Sequence, residues 1–123
     1  MAHEHYQACI DACNACATAC NHCAAACLQE DGIEELGECI RLDLDCAGIC
    51  GFVTAYMARG SEFASDAWAL CADVCDACAD ECDRHDMAHC RECAAACRHC
   101  ADECRRMGGA APGQRAAPRP ART

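Results

Sequence analysis

The sequence predicts an all-α fold, an antiparallel four-helix bundle with a disordered C-terminal tail, on three observations. Cysteine recurs at alternating intervals of three and four residues through separate stretches of the chain. The first 107 residues contain no proline and only five glycines, so long helices can run uninterrupted. Val, Ile, Thr and aromatic residues are too few to build strands.

The first helix is expected over 4–29 and carries Cys9, Cys13, Cys16, Cys20, Cys23 and Cys27. A second is expected over 32–59, because Asp31-Gly32-Ile33-Glu34 reads as an N-cap with its reciprocal Glu three residues on. It is sparser in sulfur, with Cys39, Cys46 and Cys50. The third, over 62–84, follows Arg59-Gly60-Ser61-Glu62, a helix-ending Gly beside a Ser N-cap, and bears Cys71, Cys75, Cys78 and Cys82. Around 83–86 the rhythm skips a beat, and Asp86 can cap a fourth helix over 87–107 with Cys90, Cys93, Cys97, Cys100 and Cys104. Loops this short join antiparallel neighbours. Residues 1–107 therefore form the bundle domain. Residues 108–123 hold all three prolines, three glycines and three arginines, and are expected to be a disordered basic tail. Residues 20–27 and 90–97 share their cysteine spacings and an Ala triplet, a loose internal repeat of helix geometry.

Composition says what fills such a bundle. The chain has 123 residues, enough for one domain, but Leu, Ile and Val together number only eleven, against eighteen Cys. Spacings of three and four put every cysteine on the stripe that a bundle helix turns toward its partners, so the interior is expected to be lined with sulfur. One or two such cysteines would pass for small hydrophobes; eighteen on matched faces do not. No basic n-region or apolar run precedes Cys9, so the chain is expected in the reducing cytoplasm, where dense cysteine reads as metal or redox chemistry. A net charge of −10 argues against a nucleic-acid partner, and no apolar run approaches the roughly 20 residues that span a membrane.

Eight C-x-x-x-C units cover sixteen of the cysteines: 9/13, 16/20, 23/27, 46/50, 71/75, 78/82, 93/97 and 100/104. Their Cβ atoms stand about 5–6 Å apart on one helix face. Two thiolates holding a metal linearly need sulfurs about 4–5 Å apart, if the bond is near the ~2.3 Å of zinc–thiolate. A single helix thus offers a two-coordinate site suited to soft Cu(I). Five C-x-x-C spacings also occur, but a four-three rhythm generates them automatically, without the turn-borne knuckles of zinc or the βαβ context of a redox pair.

These repeated C-x-x-x-C units, running over residues 5–107, resemble the bacterial copper storage proteins, cysteine-lined four-helix bundles that hold multiple Cu(I) ions. The absence of a signal peptide and the large cysteine count resemble the cytosolic branch. The resemblance implies a homotetramer of bundles and copper loaded along the bundle axis. Isolated pairs would hold about nine ions, whereas bridging thiolates would hold on the order of one Cu(I) per cysteine, the favoured expectation. The leading expectation is thus Cu(I) storage without catalytic turnover. A zinc or mixed-metal thiolate buffer of metallothionein type is the alternative, and a redox or disulfide-stabilised protein the third reading.

In an up-down bundle one end gathers Tyr6, Phe52, Tyr56, Met57, Phe63, Trp68 and Met107, an expected apolar plug. The other gathers Cys27, Leu36, Cys39, Cys82, His85, His89 and Cys90, where Cu(I) is expected to enter. His85 and His89 are either solvent-facing or complete mouth sites that thiolates leave open, and Asp43, four residues beyond Cys39 on the same seam, is a further candidate ligand. His22 and His99 lie one step off the seam and are expected to be exposed. Beside the seam of the second helix runs another row, Ile33, Gly37, Ile40, Leu44, Ala47 and Gly51, flanked by Leu42 and Ile49. A helix apolar on more than one face is buried on more than one face, so this helix is expected to pack against another subunit.

Overall fold

The computed structural model describes residues 5–108. Its elements are α1 (Gln7–Cys27), a short 3₁₀ turn (Ile33–Leu36), α2 (Gly37–Ala58), α3 (Ala64–Cys82) and α4 (Ala88–Gly108), with no strand among the described residues. Each helix packs on its neighbours in the chain, and α1 closes the ring against α4. The pairing is antiparallel throughout: Cys9 near the start of α1 meets Cys104 near the end of α4, and Cys39 near the start of α2 meets Cys82 at the end of α3. Four antiparallel helices are what the cysteine rhythm predicts. From residue 109 onward the expected tail lies outside the described residues, and Gly108 closes α4 one residue later than expected.

The helix ends depart in detail from the expected caps. Asp31 makes no capping bond; Gly32 takes φ 75, a left-handed conformation that glycine adopts without a Cβ clash, and the chain enters α2 through the 3₁₀ turn. Gly60, at φ 66, ends α2 as expected in a Schellman motif, its N–H donating to Met57 O and that of Ser61 to Tyr56 O. The Ser61 hydroxyl accepts from the N–H of Phe63 at 3.1 Å, so it stabilises the turn ahead of α3 and not the helix itself. At α4 the Met87 carbonyl, not Asp86, accepts the first helical bond, from Arg91.

The core is sulfur and alanine over most of its length. Every cysteine is at most 1% exposed, interleaved with buried Ala12, Ala24, Ala69, Ala72, Ala79, Ala94 and Ala101. Hydrocarbon is concentrated at one end, where Ile10, Val53, Met57 and Trp68 are buried and the Tyr6 ring packs at a tilt against Trp68, centres 5.5 Å apart. Each large side chain in this plug contributes about 1.5–3 kcal/mol. Phe52 and Phe63 do not join it, contrary to expectation: they are 57% and 53% exposed. Phe52 sits two residues after Cys50, on the opposite face of α2, and Phe63 precedes the first turn of α3. With Ile49, Tyr56, Asp66, Ala67 and Leu70 they line an open groove of about 290 Å³ on the outside of the α2–α3 pair. Leu44 of α2 and Ile33 of the turn before it are also exposed, so apolar side chains recur along the outer side of α2. Charge instead clasps α3 to α4, through Arg98 with Asp80 and Asp83, and Arg105 with Asp73 and Asp76.

Candidate metal centre

The thiols form one continuous column down the bundle axis. At the plug end Cys9 lies 3.9 Å from Cys104 and Cys13 lies 3.6 Å from Cys100. Cys50 follows, 3.8 Å from Cys71 and 3.7 Å from Cys100. In the middle Cys16 is 3.5 Å from Cys46 and 3.7 Å from Cys97, while Cys20 is 3.6 Å from both Cys93 and Cys97. Sulfur quartets with all atoms within 4.8 Å of one another recur along the column, among them Cys13/Cys71/Cys100/Cys104, Cys16/Cys20/Cys46/Cys97, Cys20/Cys78/Cys93/Cys97 and Cys23/Cys27/Cys39/Cys90. Several quartets share members, so the column is built for bridging and not for separate four-cysteine sites. With a bond near ~2.3 Å, linear coordination spreads two sulfurs about 4.6 Å and planar three-coordination about 4.0 Å, both inside the 4.8 Å that bounds these quartets.

Asp43 enters the column toward the mouth. It is fully buried, and its carboxylate accepts from the thiols of Cys78 at 3.2 Å, Cys93 at 3.3 Å, Cys82 at 3.7 Å and Cys39 at 3.9 Å. Burial, reinforced by the negative charge Cys93 would carry, pushes its carboxyl up to about 8. Nearby, burial and the approach of Cys39 push the Cys27 thiol up to about 11. These two protons are ones that an arriving cation must displace.

Beyond Asp43 the column ends in Cys23, Cys27 and Cys90, whose sulfurs stand 3.8–4.0 Å apart. The Nδ1 of His89 faces all three, at 3.6 Å from Cys23, 3.9 Å from Cys27 and 3.6 Å from Cys90. Its Nε2 donates to Glu30 Oε2 at 3.1 Å, which leaves the Nδ1 lone pair aimed at the sulfurs. His85 is placed elsewhere: its Nε2 meets Glu81 Oε2 at 2.9 Å, away from the thiols. Of the two histidines at this end, the structure brings only His89 to the thiols. His22 and His99 are exposed, as expected. Glu30 was not legible in the sequence, because it acts across 59 residues from a turn after α1 that no spacing rule connects to α4.

Residues 2–109 match the family model described as copper storage protein. The chain belongs to that family. Among solved members, the Cu(I)-bound copper storage protein BsCsp3 of Bacillus subtilis is 49% identical, with a TM-score of 0.80 over 83% of this chain and 96% of that one. A cytosolic copper storage protein from Streptomyces lividans, solved with five coppers, is 40% identical, with a TM-score of 0.84 over 89% of this chain and 96% of that one. A cysteine-rich Bacillus subtilis protein, YhjQ, is 48% identical over 71% of this chain and 81% of its own length. As in the family, the fold here is a four-helix bundle, and its function is copper storage by closely spaced cysteines. No helix of the described residues is long and apolar enough to cross a membrane.

Proposed function

We propose that this copper storage protein holds its Cu(I) cargo on all eighteen cysteines, Cys9 through Cys104, at roughly one ion per thiolate, in the cytoplasm and without catalytic turnover. The observation that carries the reading is the column of buried thiols, each with another sulfur within 4.8 Å and many at 3.5–4.0 Å. Charge supports the stoichiometry. A buried thiolate is costly unless neutralised, and one Cu(I) per thiolate, each displacing one proton to solvent, leaves the interior neutral. Asp43 adds one oxygen donor midway to the mouth. The Cu(I)-bound state of BsCsp3 and the copper-loaded Streptomyces lividans protein support copper over the zinc buffer, as does the sharing of sulfurs between quartets. The description of the Streptomyces lividans protein as cytosolic supports the compartment.

Copper enters, on this reading, at the Cys23/Cys27/Cys90 triad under His89, with Glu30 fixing the imidazole; Cys39 passes it inward toward Cys82 and Asp43. Glu30→Gln is expected to weaken the first Cu(I) bound by about 10-fold to 100-fold, the usual effect of removing a carboxylate behind a ligating histidine. His89→Ala should do at least as much, His85→Ala nothing, and none of the three should change saturating capacity by more than about one ion, given the column below. Competition with a chromophoric Cu(I) chelator at substoichiometric copper measures this.

The apolar outer face of α2 supports assembly with further copies of the chain, a tetramer by family likeness. Gly37, Gly48 and Gly51 meet no atom within 4 Å where a Cβ would stand, so another backbone has room to approach. Leu44→Glu with Phe52→Glu is expected to yield a monomer in multi-angle light scattering while far-UV circular dichroism stays helical, because both side chains are more than half exposed in the single chain.

A further inference from the structure

We propose that the middle of the bundle is also a receptor for trivalent metalloid hydroxides, arsenous acid and its antimony counterpart, each held pyramidally by three cysteines. The sulfurs of Cys16, Cys46 and Cys75, from α1, α2 and α3, lie 3.5, 3.5 and 3.9 Å apart. A second triad that shares no member, Cys20, Cys93 and Cys97, has separations of 3.6, 3.6 and 3.9 Å. With bonds near ~2.3 Å, a lone-pair-bearing centre with angles of about 100° needs sulfurs about 3.5 Å apart, whereas a planar three-coordinate ion spreads them to about 4.0 Å. The mouth triad of Cys23, Cys27 and Cys90, at 3.8–4.0 Å, is of the planar size. The two central triads are drawn in toward the pyramidal one.

The chemistry suits a dry interior. Arsenous acid is uncharged near neutral pH, so entering an apolar space costs it far less hydration than it would cost an ion. Binding exchanges its three hydroxyls for three thiols: three As–O and three S–H bonds break, three As–S and three O–H bonds form, and three waters leave. Arsenic stays trivalent, no electron is transferred, and the product is neutral. All six sulfurs are 0% exposed, an environment that disfavours any product with residual charge. Each centre also ties separate helices together, so occupancy and bundle order reinforce each other.

The inference draws on thiols assigned above to copper and rests, as that reading does, on their being reduced and reachable from solvent. The test is anaerobic incubation of the reduced full-length protein with excess sodium arsenite, followed by gel filtration, arsenic determination and a count of remaining thiols. A parallel Cu(I) titration is run on the same preparation. The expected result is about two arsenic per chain, about three thiols consumed by each, as the two triads require. Cys46→Ala and Cys75→Ala, checked for helix content by circular dichroism, should each bind one fewer, and Cys9→Ala, outside both triads, should bind as the parent does. Fewer than two arsenic, only two thiols consumed by each, or undiminished binding by both Cys46→Ala and Cys75→Ala would overturn the proposal. If Cu(I) loads to capacity while arsenic does not, the metalloid site alone is refuted; if neither loads, the storage reading falls with it.

Discussion

Saturation with Cu(I) is expected to raise the thermal midpoint of the reduced protein by more than about 20 °C, while far-UV circular dichroism stays nearly unchanged. The cause lies in the core. Apart from the plug of Ile10, Val53, Met57 and Trp68, with Leu36 and Asp43 toward the other end, the buried interior is mainly thiol and alanine, which remove little hydrocarbon from water. The copper-free bundle is therefore weakly held. Any ligand that binds only the folded state adds to stability, about 2.7 kcal/mol for each independent site at a hundred times its dissociation constant. Three such sites already exceed about 8 kcal/mol, comparable with the whole stability of an ordinary domain. Differential scanning calorimetry of the reduced protein with and without Cu(I) reads the shift, and equal midpoints would show that the thiols do not bind copper in the folded bundle.

The copper-free protein should lose stability as pH rises from about 4 to about 8, and Asp43→Asn should abolish most of that loss. A carboxyl held higher in the folded than in the unfolded chain binds its proton more tightly when folded. Its contribution is complete below the unfolded value and is lost as pH climbs through the folded one. Moving the Asp43 carboxyl from 3.8 to about 8 corresponds to about 6 kcal/mol, a ceiling because the surrounding thiols can relax. The facing groups are Cys23 on α1, Cys39 on its own helix, Cys78 and Cys82 on α3, and Cys93 on α4. Urea unfolding of metal-free protein at pH 5 and pH 8 tests this. A wild-type stability that is flat across that range would contradict a carboxyl raised by burial.

The bundle was legible because one residue type carries both the periodicity and the chemistry. The four-three alternation marks the inward stripe of each helix, and every cysteine on it is buried. Asp43 was legible for the same reason, standing four residues after Cys39 on the same seam. The histidines were not separable in this way, because His85 lies past the end of α3 and His89 in the first turn of α4. α3 ends at Cys82, so the three-residue step to His85 no longer follows a helix face, and the ring turns back to Glu81. His89 is the second residue of α4 and folds over the end of the column, a placement that depends on how the turn before it is built. The plug was half legible: Met57 and Trp68 face inward, whereas Phe52 and Phe63 face out, since gathering residues by bundle end ignores which side of the helix they occupy.

The central claim is that the whole sulfur column is storage space, and the most direct measurement of it is the metal count of the saturated, fully reduced protein. Anaerobic titration with Cu(I) against a chromophoric chelator, confirmed by elemental analysis, should reach saturation near one ion for each of the eighteen cysteines, about 18 per chain. Saturation at one or two ions, or retention of zinc under excess Cu(I), would contradict it.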